Sequence, residues 1–157
     1  LEDTYILKYV VPVDTAAIDL TTDRYGNAFN FVEGDEIEIE FSFKLNSVAN
    51  GAPRLLINST TLETGKYHYS SAVANFFPLS TLASTFEVVS GLVKLVFLNG
   101  EVFINSSCRA IYPDLTYGAN GVWGGTISKN LTSITRFYFI RGNGYILANS
   151  TIIIRKN

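Results

Sequence analysis

Absences narrow the reading of this 157-residue sequence before any motif does. It holds one histidine, one cysteine and one tryptophan, and no methionine. A single histidine excludes the histidine clusters that hold zinc. A single cysteine excludes an intrachain disulfide, the usual staple of a small extracellular domain. Folding in a reducing compartment, or a lineage that avoids cysteine, fits that count. Lys and Arg number 12 against 14 Asp and Glu, a net charge of −2. No basic footprint invites nucleic acid or an anionic membrane, so neither is expected as a partner. The longest apolar runs, such as 95–98 and 152–154, have strand length and fall far short of a membrane span. No signal peptide is evident. A chain that begins at Leu1 reads as a fragment of a longer protein or a mature form.

What is present is β-forming throughout. Tyr, Phe, Ile, Val and Thr fill the periodic segments, and Gly, Asn, Asp and Ser fill the gaps. Residues 36–44, Glu-Ile-Glu-Ile-Glu-Phe-Ser-Phe-Lys, alternate strictly. Glu36, Glu38 and Glu40 point to water while Ile37, Ile39, Phe41 and Phe43 point to a core, as in an antiparallel sheet wet on one side. The glutamates read as a solvated strand face rather than an acid or metal site.

Asn99-Gly100 between two apolar runs predicts a hairpin of residues 92–98 and 101–104 with a type I′ turn. Residues 134–140 and 145–154 predict a second hairpin with a longer loop. Weaker strands are expected at 5–11, 16–20, 54–58, 67–69 and 86–89, and one helical turn at 80–84 after Pro78. No helix-period segment reaches three turns. The expectation is a single domain over residues 1–157, with about nine strands in an all-β, antiparallel β-sandwich of jelly-roll type.

Catalytic groups are poorly represented. Cys108 and His68 offer a thiol–imidazole pair but no marked third group to orient them, and Cys108 in a strand reads as a small hydrophobe. The glycines at 121–125 lack the Lys-Ser/Thr of a phosphate loop. Glu87 and Glu101 would serve a glycosidase only if the fold brought them to about 5–10 Å. Asp14, Asp19 and Asp23 lie near Asn27 without the spacing of a calcium loop, and turn-capping explains them better. No catalytic residue, metal or cofactor is therefore expected. Four Asn-x-Ser/Thr triplets begin at Asn58, Asn105, Asn130 and Asn149, as chance allows in a chain rich in these residues.

Residues 112–126, Tyr-Pro-Asp-Leu-Thr-Tyr-Gly-Ala-Asn-Gly-Val-Trp-Gly-Gly-Thr, set the only tryptophan among glycines, tyrosines and amide or carboxylate side chains. Read as a loop, this is what a sugar needs. Its C–H face stacks on an aromatic ring, and its hydroxyls pair with amides and carboxylates. Trp123, Tyr117 and Tyr112 are the expected platforms, with Asp114 and Asn120 as hydrogen-bonding partners. The competing reading makes Trp123 a plug at one end of the core. Tyr67-His68-Tyr69 is a second candidate, with Tyr67 and Tyr69 on one face of a strand and His68 on the other.

Residues 17–31, Ala-Ile-Asp-Leu-Thr-Thr-Asp-Arg-Tyr-Gly-Asn-Ala-Phe-Asn-Phe, resemble an opening seen in tail and baseplate proteins of bacteriophages that infect Gram-positive bacteria. The pattern continues through a strand like 36–44 and a paired Leu-Leu-Ile-Asn strand like 55–58, and covers roughly residues 5–58. In that family the module is a β-sandwich that binds host cell-wall saccharide. The resemblance implies a non-catalytic, carbohydrate-binding domain of a phage adhesion device, assembled in the host cytoplasm and carried on the virion. It implies a bacterial cell-wall polysaccharide and other tail or baseplate proteins as partners. The alternatives are a structural domain that assembles through apolar edge strands such as 152–154, and a polysaccharide hydrolase. The resemblance carries no binding residue over to this chain.

Overall fold

In the computed structural model, residues 5–46, 51–69, 72–80, 87–111, 118–127 and 131–157 are described, with the backbone alone at 72, 118–120 and 123. The strands are β1 (Tyr5–Val10), β2 (Ala17–Leu20), β3 (Glu36–Lys44), β4 (Pro53–Ile57), β5 (Tyr67–Tyr69), β6 (Ala72–Ala74), β7 (Phe77–Pro78), β8 (Val88–Leu98), β9 (Glu101–Ile111), β10 (Gly118–Ile127), β11 (Phe137–Arg141) and β12 (Thr151–Lys156). They form an eight-stranded sheet, ordered β1-β12-β3-β8-β9-β10-β5-β6, and a four-stranded sheet, ordered β2-β11-β4-β7. Every pairing is antiparallel. The two sheets pack face to face as a β-sandwich.

Strict alternation builds the larger sheet. In β9 every even-numbered residue from Val102 to Ala110 is buried and every odd-numbered one is exposed. Strand β3 alternates in the same way, with Ile37, Ile39, Phe41 and Phe43 in the core. On its wet face Glu38 pairs with Lys94 at 3.4 Å and Glu40 with Arg155 at 2.9 Å. Aromatic contacts tie the two sheets together. Phe43 of β3 meets Phe139 of β11 edge-on at 5.7 Å, and Tyr69 of β5 meets Phe77 of β7 at 5.9 Å.

The Asn99-Gly100 turn forms as expected, with φ of 55° and 74°, the left-handed pair that a type I′ turn needs. Its arms are longer than the sequence suggests. Strand β8 runs from Val88 to Leu98, joining the separately expected segments 86–89 and 92–98 through Ser90-Gly91. The expected helical turn at 80–84 lies outside the described residues, apart from Ser80.

Four local expectations are corrected. The segment 134–154 is not a hairpin, because β11 belongs to the small sheet and β12 to the large one. The run 152–154 is not an edge, because β12 lies between β1 and β3. Strands β3 and β4, treated as a pair in the family resemblance, lie in different sheets. The stretch 112–126 is not one long loop, since residues 118–127 form β10, paired with β9 on one side and β5 on the other.

Gly125 of β10 reflects close backbone approach rather than loop flexibility. A Cβ on Gly125 would lie 1.8 Å from the His68 carbonyl oxygen, so only glycine lets β5 dock there.

Candidate functional site

The residues singled out in the sequence scatter. Tyr67 is fully buried, and its hydroxyl oxygen accepts the Ile57 amide at 2.7 Å, so it is a core residue and no platform. Burial pushes its phenol well above the ordinary tyrosine range. Tyr69 is half-buried, with its ring edge-on to Phe77. His68 faces the other way, between Thr126 and Val73 in register. Tyr112, Asp114 and Tyr117 lie outside the described residues. The backbones of Asn120 and Trp123 sit in mid-strand opposite Arg109 and Ser106, and their side chains lie outside the described residues.

The catalytic pairings do not assemble. Glu87 borders β8 at the end remote from the turn, where its amide bonds to Ile111, whereas Glu101 adjoins the turn. The length of an eleven-residue strand, roughly 35 Å, separates them. Cys108 points into the core from β9, and His68 lies beyond β10, about 17 Å further along in register. Desolvation raises the Cys108 thiol pKa, and a hydrogen bond from the Gly121 backbone opposes it.

The aspartates of the N-terminal segment are engaged. Asp23 Oδ1 accepts the amides of Tyr25 and Asn27, closing the turn at Gly26. Asp19 forms a two-pronged pair with Arg136, and Asp14 accepts the Ala148 amide. Among the described residues, no group of three or more His, Cys, Asp or Glu is placed to hold a metal.

A groove that the sequence does not mark crosses the outer face of the large sheet. It is open, with a volume of about 700 Å³. Two rows of outward side chains line it, each fixed by cross-strand register. The first row is Thr151, Ser42, Ser90 and Arg109, on β12, β3, β8 and β9. The Ser42 and Ser90 hydroxyls are hydrogen-bonded at 2.9 Å. The second row is Ile153, Glu40, Leu92, Ser107 and Val122, the last 80% exposed. Strand spacing makes the first row about 14 Å long.

Small residues lie beneath the groove. Gly91, Cys108 and Gly121 are in register on the core side of β8, β9 and β10. A Cβ on Gly91 would come 2.4 Å from the Ser107 carbonyl oxygen, so the strands approach there as only glycine allows. Glycines at such positions are what let a sheet curve.

The groove therefore presents hydroxyls along one rail and largely apolar side chains along the other. Its one lining carboxylate among the described residues, Glu40, is tied to Arg155. The wall opposite Glu40 carries Ser90, Ser107 and Arg109 rather than a second carboxylate. Sequence reasoning misses the site because isolated serines on different strands carry no local signal. Only the alternation of β3 and β9 hints that Ser42, Ser107 and Arg109 face outward. No protein-family model matches the chain, and neither does any curated protein.

Proposed function

We propose that this protein is a non-catalytic saccharide-binding domain whose site is the groove on the outer face of the large sheet. The observation that carries the reading is the pairing of a hydroxyl row with an apolar row. A sugar ring is amphipathic in the same sense, with hydroxyls around its edge and C–H groups on its faces. A chain laid across the strands sets its hydroxyls against Thr151, Ser42 and Ser90 and its C–H surface against Ile153, Leu92 and Val122. The sheet is rigid, so little is lost to ordering on binding. Each contact is weak, and several copies on one particle supply avidity. The resemblance of residues 5–58 to phage tail and baseplate proteins makes a host cell-wall polysaccharide the candidate ligand and the virion its setting.

The test is binding of tagged protein to whole cells from strains that differ in wall polysaccharide, with the Ser42→Ala/Ser90→Ala double variant beside it. That variant removes both hydroxyls of a bonded pair, so no orphaned group remains to unfold the sheet. Strain-selective binding, weakened roughly thirtyfold by the double variant, is expected from about 1 kcal/mol for each of two lost hydrogen bonds. Undiminished binding by the variant moves the site elsewhere. Absence of binding to every strain ends the saccharide reading.

A further inference from the structure

We infer that the groove selects an anionic saccharide, and that Arg109 receives its acidic group. The inference rests on the saccharide reading above and concerns the class of sugar. Its basis is the charge that the groove leaves uncompensated.

The protein as a whole is slightly acidic, with a net charge of −2. On the outer face of the large sheet most charges cancel in pairs. Glu38 faces Lys94 at 3.4 Å, and Glu40 is held by Arg155 at 2.9 Å. Arg109 is different. It is exposed, it is the last described side chain of the hydroxyl row, and no ion pair or hydrogen bond engages its side chain among the described residues. Lys44 lies two residues beyond Ser42 on the same face of β3, about 7 Å away, and its ammonium is likewise unpaired. Glu87, three residues from Ser90 at the border of β8, pairs with neither. The groove is thus neutral along most of its length and cationic at Arg109, with Lys44 outside its lining.

A guanidinium is a planar fork of donors that matches a carboxylate or a phosphate with two parallel bonds. At the end of a row of hydroxyls it suits a sugar bearing one of those groups. A neutral saccharide leaves the fork to water; an acidic one replaces that water with a charge-assisted pair. The shared chemistry is an anionic oxygen pair on the ligand, from either a uronic acid or a sugar phosphate.

The experiment is calorimetric titration of the intact protein and of Arg109→Gln with four probes at low salt. Oligogalacturonate and its methyl ester form the carboxylate arm. Phosphorylated maltooligosaccharide and plain maltooligosaccharide form the phosphate arm. The expected result is at least tenfold tighter binding of one acidic probe than of its neutral counterpart, with the preference falling toward unity in Arg109→Gln and in high salt. The arm that shows the preference identifies the acidic group. Equal affinity for acidic and neutral probes overturns the inference while leaving the saccharide reading intact. So does a preference that survives Arg109→Gln. No binding by any of the four overturns the inference, whereas the saccharide reading itself falls only if the whole-cell experiment fails as well.

Discussion

The hydroxyl of Tyr67 accepts the Ile57 amide proton at 2.7 Å inside the core, and so joins the large sheet to the small one. The amide of Ile57, in the last residue of β4, thus finds its partner across the sandwich. Lys66, the residue before Tyr67, serves the same residue, donating to the Ile57 carbonyl at 2.6 Å. A tyrosine that looks like a sugar platform in the sequence is therefore a bolt between layers.

Tyr67→Phe keeps the ring and strands the Ile57 amide. A loss of roughly 1–3 kcal/mol is expected, the usual cost of an unsatisfied buried donor. Urea unfolding at neutral pH measures it, and saccharide binding should not change. The pH dependence has a definite sign. The folded-state pKa of Tyr67 is raised, chiefly by desolvation. Its contribution to stability is therefore fully present below the unfolded pKa of about 10 and is lost as pH rises beyond it. The stability gap between wild type and Tyr67→Phe should be constant from pH 7 to 9 and shrink above pH 10. A gap that widens with pH contradicts this assignment.

Gly124 and Gly125 are neighbours with opposite tolerances. A Cβ on Gly125 meets the His68 backbone at 1.8 Å, whereas one on Gly124 meets only the end of the Asn105 side chain, at 2.9 Å. A backbone cannot step aside and an exposed side chain can. Gly125→Ala should destabilise by about 1–3 kcal/mol, as overpacking does, and speed amide exchange in β5 and β6. Gly124→Ala should stay within about 0.5 kcal/mol of wild type, as exposed substitutions do. Thermal unfolding of the two variants side by side decides the point.

Arg141 is buried with no carboxylate beside it among the described residues. Its guanidinium donates to the carbonyls of Gly51, Asn46 and Tyr145 and to the Asn46 side chain. Burial draws its pKa below the ordinary arginine value, yet a guanidinium keeps its proton. Arg141→Met should cost about 3 kcal/mol, because the buried Gly51 carbonyl and the part-buried Asn46 and Tyr145 carbonyls lose a charged donor at once. Arg141→Lys should recover little of that, since an ammonium cannot span acceptors arranged for a planar fork. Chemical denaturation of both variants tests this.

Much of the fold is legible locally. Alternation in residues 36–44 gives β3 its buried and wet faces, because a strand's side chains alternate by geometry. Asn99-Gly100 gives its hairpin, because both residues tolerate positive φ. Asp23 and Gly26 give their turn for the same kind of reason. The glycines around Trp123 mislead, because glycine serves both a loop and a strand pressed against its neighbour.

The sequence alone shows an antiparallel β-structure with one acidic, solvated strand face and no histidine cluster. Those properties reside in composition and in period-two patterns a few residues long. Tertiary structure alone decided which strands are neighbours and in what register. It placed Tyr67 in the core and set Glu87 and Glu101 at opposite ends of a hairpin. It also aligned Thr151, Ser42, Ser90 and Arg109, residues far apart in sequence, into one row. A strand's alternation names the face a residue occupies but not the strand beside it, and a site built across strands exists only once that choice is made.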